Sequence, residues 1–285
     1  MGLRRKIKKN AVSALSGRWV QAVCASLIIL CLMALFIMVE ALTGQLLGAS
    51  GYVEADISLS PYVSNVPDTS STALALTATF AVAAYLLAIP VEMGLFRFGF
   101  QTASAKPARI GSLFYYFRGP GLYLKSLMLR THIISRSILW TALCCAPGAA
   151  LVYFDLTVLK VYTSVSQEQY TGQFTAIILL WIGGILIFLG IILGIVLSGR
   201  YFAAPYLLIE QPDMGILQAI KISVRYTKSR RGDIFLFRLS FLPWLVSCIA
   251  LIPALYVVPY YSTARSLYAK YVIEYNRYYE VHPVR

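Results

Sequence analysis

Acidic side chains and histidine are scarce in this chain. Twelve Asp and Glu stand against 25 Lys and Arg in 285 residues, and the only histidines are His132 and His282. That scarcity excludes much chemistry. General acid–base work needs carboxylates or imidazoles gathered at one place, and the few here are scattered along the chain. The sequence has no GxSxG elbow, no HExxH helix and no phosphate-cradling glycine loop. Accordingly no catalytic residue, metal ligand or cofactor site is assigned, and the chain is read as non-enzymatic. Cysteine offers no alternative. Cys24, Cys31, Cys144, Cys145 and Cys248 all sit inside apolar runs, away from disulfide or zinc spacing, and are read as small buried hydrophobes.

Charge of either sign is also sparse, at 13% of residues against 59% hydrophobic. A soluble domain of this length needs a far more polar surface. The polar residues are confined to connectors, so residues 1–285 are read as a single integral membrane domain. It has a basic N-terminal segment at 1–18 and a C-terminal tail at 272–285. The net charge of +13 does not point to nucleic acid. The bases flank apolar runs, where they meet anionic headgroups, and no separate basic face carries base-stacking aromatics.

The apolar runs set the architecture. They cover 19–42, 73–96, 137–154 and 174–198, the last continuing toward 209, and then 234–271. The first, preceded by Arg4, Arg5, Lys6, Lys8 and Lys9, is too long for a signal-peptide core and is read as a membrane helix. Connector charge alternates. Residues 43–72 carry Glu54, Asp56 and Asp68 and no base. Residues 97–136 carry Arg97, Lys106, Arg109, Arg118, Lys125, Arg130 and Arg136 and no acid. The next loop is nearly neutral, and the one after it is basic again. Basic connectors stay cytoplasmic.

At ~1.5 Å per residue, 234–251 already reaches roughly 27 Å. Pro253 is expected to break the helix there, and 254–271 to return inward with Pro259 as a kink and Arg265 snorkelling. The expected fold is therefore all-α: a polytopic transmembrane bundle of about six spans with interfacial amphipathic helices. Both termini are cytoplasmic and the lipid bilayer is the constant partner.

Three patterns supply candidate sites. Asp213 is placed to cap an amphipathic connector helix at 213–231. Lys221, Arg225 and Lys228 line its polar face as candidate contacts for anionic inner-leaflet lipids. Packing of this helix against the bundle remains open beside the interfacial reading. Residues 121–136, with Lys125, His132 and Arg136 on one stripe, form an amphipathic lead-in to the third span. Gly183, Gly190, Gly194 and Ser198 form a small-residue stripe on the fourth. It serves packing within the chain or association with a second copy. Tyr268, Tyr271, Tyr275 and Tyr278 recur at helical spacing and read as an interfacial aromatic band, with an aromatic binding groove as the alternative. Among ionisable residues within the runs, Glu92 and Arg238 should share a depth near the inner interface, so they form a candidate intramembrane ion pair. Each facing headgroups separately is the alternative.

Residues 199–268 carry a further pattern: GRYFAAPYLLIEQPD, AIKIS, RRGDIFLFRLSFLPW and VVPYYSTARSLY. With Gly17 and Trp19 near the start, it resembles the bacterial integral-membrane proteins of domain-of-unknown-function family 975. The positions that carry it include Tyr206, Glu210, Pro212, Ala219, Ile220, Ser223, Gly232, Phe241, Trp244, Pro259, Ala264 and Tyr268. A more distant likeness is to the membrane region of glycerophosphodiester phosphodiesterases, without their catalytic domain. The resemblance implies a six-helix protein of the bacterial cytoplasmic membrane and no established activity. The expected role is an envelope scaffold or partner subunit. The alternative is a transporter or channel for a small or lipid-like solute.

In a cysteine-free background, single cysteines at Ser64 and Glu168 should react with an impermeant thiol reagent from outside, and one at Tyr279 should not. Outside labelling at Tyr279 would leave an odd number of spans.

Overall fold

The computed structural model describes residues 2–46, 71–105, 107–159, 169–248 and 252–282. The two outer labelling positions, Ser64 and Glu168, lie outside them. Among the described residues every regular element is helical. They are α1 (Leu3–Leu15), α2 (Trp19–Leu46), α3 (Ser71–Ala103), α4 (Pro120–Phe154), α5 (Gln169–Ser198), α6 (Ala204–Glu210), α7 (Ile216–Tyr226), α8 (Arg231–Leu239), α9 (Leu242–Ser247) and α10 (Ile252–Val281). Four of the described stretches are long and apolar enough to cross a membrane: Trp19–Gly44, Leu74–Ala103, Pro120–Thr157 and Phe174–Glu210. Their side chains are largely uncovered. Leu35 is 59%, Ile37 61% and Met38 69% exposed, a continuous apolar surface that suits lipid rather than water.

Several boundaries differ from the sequence reading. The lead-in at 121–136 and the third apolar run form one 35-residue helix, α4. The connector helix is shorter than 213–231. It starts at Ile216 behind Gly215, whose extended backbone precedes the first turn, so Asp213 is not its cap. It ends at Tyr226, and Gly232 lies inside the first turn of α8. The apolar run after Arg231 is interrupted at Ser240–Phe241, giving α8 and α9 instead of one helix. Pro253 falls at the second position of α10, where a missing N–H leaves no hydrogen bond unmade. α10 then continues through 30 residues to Val281, so most of the 272–285 tail is helix.

Two compact units divide the chain. One comprises residues 8–127 and 248–265. Here α1 buries Ala11 and Leu15 and ends at Gly17, whose φ of +75° turns the chain into α2. Leu15, Ala22, Ala25, Phe98, Ala108 and Leu113 form a buried cluster, with Trp19, Leu95 and Tyr260 packed on it. Trp19 also stacks on Tyr256, with ring centroids 4.7 Å apart. The segment after α3 folds back along that helix. The Leu113 backbone lies so close to Gly94 that a Cβ there would sit 2.6 Å from the Leu113 carbonyl carbon.

Pro90 interrupts α3 and removes the N–H that the Leu86 carbonyl would otherwise accept. The Tyr123 hydroxyl donates to that carbonyl at 3.1 Å. A donor from α4 thus satisfies a group that lipid could not.

The other unit comprises residues 1–7, 128–247 and 266–285. Its buried centre is aromatic. Phe237 stacks on Tyr268 at 4.8 Å, Phe202 meets the Tyr268 ring edge-on at 5.8 Å, and Phe241 meets Phe237 at 5.2 Å. The break between α5 and α6 frees the Arg200 carbonyl. The Ser223 hydroxyl donates to it at 2.9 Å and accepts the Ala203 N–H at 3.1 Å, while the Thr227 hydroxyl lies 3.1 Å from the same carbonyl. The buried face of α7, with Ala219, Ile220 and Ser223, is thereby turned to protein.

α4 and α5 run antiparallel and meet at glycine. A Cβ on Gly190 would lie 2.6 Å from the Cys144 carbonyl oxygen, and one on Gly194 would lie 2.9 Å from Thr141 Cα. Gly148 and Gly183 oppose each other in the same seam, whereas Gly184 faces open space. Backbone atoms on the opposing helix cannot swing away as a flexible side chain does. Gly190→Ala should therefore destabilise the protein in detergent by about 1–3 kcal/mol through overpacking. Gly184→Ala, on the same helix, should leave the melting temperature unchanged or slightly raised. Equal melting of the two variants would show that the seam is not tight.

Candidate functional site

Two clusters of polar and aromatic side chains stand out, one in each unit. The first gathers around the end of α10. Glu210, the last residue of α6, receives both Arg277 guanidinium nitrogens at 3.1 Å each. That fork-to-fork contact holds the Arg277 pKa above its ordinary value, the hydrogen bonds being the main cause. Tyr226 donates to Glu280 at 2.9 Å, and Asn276 donates to the Tyr226 carbonyl at 3.1 Å. Burial first, then the Glu280 carboxylate, pushes the Tyr226 phenol up. Arg230 lies over two rings, 4.2 Å from the centroid of Tyr275 and 5.2 Å from that of Tyr271. From this clamped base an aromatic ladder continues. Tyr275 and Tyr279 are 4.6 Å apart, and Tyr278 approaches His282 at 5.0 Å. Tyr278 is 62% and Tyr279 41% exposed.

The second cluster lies in the other unit, beyond α3. The Arg97 guanidinium sits 3.7 Å from the centroid of Tyr115, and that of Arg118 lies 5.8 Å from the same ring. Tyr116, beside them, is buried, and burial pushes its phenol up to about 12 against the opposing pull of Arg97. Two single 3₁₀ turns, Ile110–Ser112 and Tyr115–Phe117, set these side chains. Phe114 and Phe117 complete the wall of an apolar cavity of about 420 Å³ between α2 and α3, lined also by Leu32, Phe36, Ala84, Ala88 and Val91.

The residues singled out from sequence are distributed as follows. Lys221, Arg225 and Lys228 are exposed, and Arg225 lies 3.7 Å from Glu280. Gly183, Gly190 and Gly194 face α4, whereas the Ser198 hydroxyl bonds back to the Gly194 carbonyl of its own helix at 2.8 Å. Glu92 and Arg238 are both half-buried and belong to different units, and the Arg238 guanidinium lies 5.7 Å from the Phe202 ring. The tyrosine stripe is divided. Tyr268 is fully buried in the aromatic centre, so it is not part of an interfacial band, while Tyr275 and Tyr278 are exposed.

Sequence reading missed the Glu210–Arg277 clamp, whose partners are 67 positions apart. It also passed over Phe114–Phe117, although the FYYFR run between two glycines was a visible signal. Among the described residues no group of three or more His, Cys, Asp or Glu is gathered to hold a metal, and the five cysteines are free thiols.

Among the described residues the molecule is all-helical, with four helices fit to cross a membrane. Residues 1–276 match the family described as "Protein of unknown function (DUF975)", and the chain belongs to that family. Neither the curated proteins nor the solved structures contain a match to it. The likeness to the membrane region of glycerophosphodiester phosphodiesterases is not shown by these comparisons. The family motif is mostly interior here: Tyr206, Ala219, Ile220, Ser223, Phe241, Ala264 and Tyr268 are buried, and Glu210 is the clamp carboxylate.

Tyr116 makes a pH prediction. Its folded pKa of about 12 lies above the ordinary 10.0. Its stabilising contribution is complete below pH 10 and is lost as the pH rises toward 12. Tyr116→Phe should therefore lose less stability than wild type between those limits in chemical denaturation. Parallel alkaline profiles would contradict the burial of that hydroxyl.

Proposed function

We propose that this protein is a non-enzymatic scaffold or partner subunit of the bacterial cytoplasmic membrane, multi-pass with both termini inside. In this reading α8–α9 and α10 supply a fifth and a sixth span, joined near Pro253. The observation that carries the partner role is the ladder at the end of α10. Exposed tyrosines with arginines around them are the composition of protein-binding hot spots. The clamp through Glu210, Arg277 and Glu280 holds them in place beforehand, which lowers the ordering cost of association. The occupant is a membrane-protein partner or a second copy of the chain. Lys221, Arg225 and Lys228, exposed beside it, meet anionic inner-leaflet lipids. Glu92 and Arg238 pair as part of the same proposal. A second reading, a carrier for a lipid-like solute, draws on the apolar cavity between α2 and α3.

The direct test is purification of the full chain in mild detergent with chemical cross-linking and mass spectrometry. Cross-links to a stoichiometric partner should concentrate at 275–282. The double variant Tyr278→Ala/Tyr279→Ala should lower partner recovery by about tenfold or more, matching hot-spot losses, with no change in melting temperature. Unchanged recovery would refute the ladder as the binding face. For the ion pair, Glu92→Gln and Arg238→Gln should each lower thermal stability, and the double variant should lose less than their sum. Strict additivity would reject the pairing.

A further inference from the structure

The cavity between α2 and α3 has an amphiphile's two halves built into it. Along its length the lining is apolar. From Ile29 to Val39 the lining of α2 spans eleven residues, ten helical rises or about 15 Å, roughly half of a ~30 Å hydrocarbon core. Phe114 and Phe117, which flank Tyr115 in the chain, are part of that lining. Arg97 and Arg118 crowd the single ring of Tyr115, at 3.7 and 5.8 Å. Residues 97–136 contain seven bases and no acid. Among the described residues neither guanidinium has a carboxylate partner. Two cations on one ring raise each other's energy, and an anion relieves both.

We infer that this groove is a binding site for one anionic glycerophospholipid of the inner leaflet. Its phosphate lies against Arg97 and Arg118, and an acyl chain lies between Leu32, Phe36, Ala84 and Ala88. Several features fit that occupant. Basic connectors mark the Arg97 end as cytoplasmic, where anionic headgroups meet the bilayer. Arg97 follows Val91 by six residues, about 9 Å of helix, so the charge stands at headgroup depth and the cavity above it at chain depth. The groove is also held open. Leu113 is seated on Gly94, and Tyr123 ties the proline-broken turn of α3 at Leu86, so the Phe114–Phe117 wall has a fixed position. A free phosphate matches only the cationic end, and a neutral lipid only the apolar length. This inference rests on the membrane orientation and is independent of the partner reading.

The test uses the full chain in nanodiscs of equimolar phosphatidylglycerol and phosphatidylcholine, followed by native mass spectrometry of the released protein. The expected result is one retained phosphatidylglycerol per chain, favoured about tenfold over phosphatidylcholine. A phosphatidylglycerol carrying a photoreactive group on its acyl chain should cross-link to α2 and α3 at the cavity lining. Arg97→Gln/Arg118→Gln should remove most of the headgroup preference. Arg118→Gln alone, at an exposed position, should lower it at least threefold with an unchanged melting temperature. Ala88→Phe should reduce retention of both lipids by filling the groove. Equal retention of the two lipids by wild type would overturn the proposal, as would a preference indifferent to both arginine variants. So would displacement of the retained lipid by millimolar inorganic phosphate, or cross-links confined to other helices. Loss of partner recovery through Tyr278 and Tyr279 has no bearing on any of these readouts, so the two proposals fail separately.

Discussion

A carbonyl released from a helix within hydrocarbon finds no water, and much of this structure depends on delivering a donor to it. Two breaks make the point. Pro90 frees the Leu86 carbonyl, and Tyr123 supplies an O–H. The end of α5 frees the Arg200 carbonyl, and Ser223 supplies its hydroxyl. An unsatisfied group of this kind costs several kcal/mol in lipid. Each donor therefore fixes the position of the element that carries it. Tyr123 sets the start of α4 against α3, and Ser223 sets α7 under α6. Phe117 of the cavity wall packs on the Tyr123 ring at 5.8 Å, and Phe202 of the aromatic centre directly precedes Ala203, so both groups lie beside these bonds.

Where no hydrogen bond is at stake, close approach does the positioning. The seam between α4 and α5 works because glycine leaves nothing between the two backbones, so dispersion contacts accumulate along it. Outside the apolar stretches, charge takes over. The double contact between Arg277 and Glu210 and the Tyr226–Glu280 bond tie the end of α10 to the elements before it. Both clamp residues are partly exposed, so the ion pair itself contributes little energy. Its use is geometric: it specifies one placement for a ladder of tyrosines that otherwise has none.

The sequence reading succeeded where a property is local. The four strongest apolar runs are the four helices fit to cross a membrane, and the alternation of connector charge follows directly from residue identity. It was less successful near residue 240 and at the ends of α7. Hydropathy averages over about a membrane thickness, so it does not register that Ser240–Phe241 interrupts a helix or that Gly215 rather than Asp213 precedes one. Tyr268 shows the same limit. Its spacing with Tyr271, Tyr275 and Tyr278 is helical, but spacing says nothing about which face meets protein, and Phe237 and Phe202 claim that ring.

What the amino-acid order determined by itself was the kind of surface: a chain this apolar, with its bases gathered in alternate connectors, makes helices long and apolar enough to cross a membrane. The family motif added kinship without chemistry. Only tertiary structure decided which side chains act together. Tyr123 reaches back 37 positions to Leu86, Ser223 reaches back 23 to Arg200, and Arg277 reaches back 67 to Glu210. Helical periodicity relates residues three or four apart and carries no information at those separations. The partner of a freed carbonyl or a lone carboxylate is settled by where a second helix passes in space.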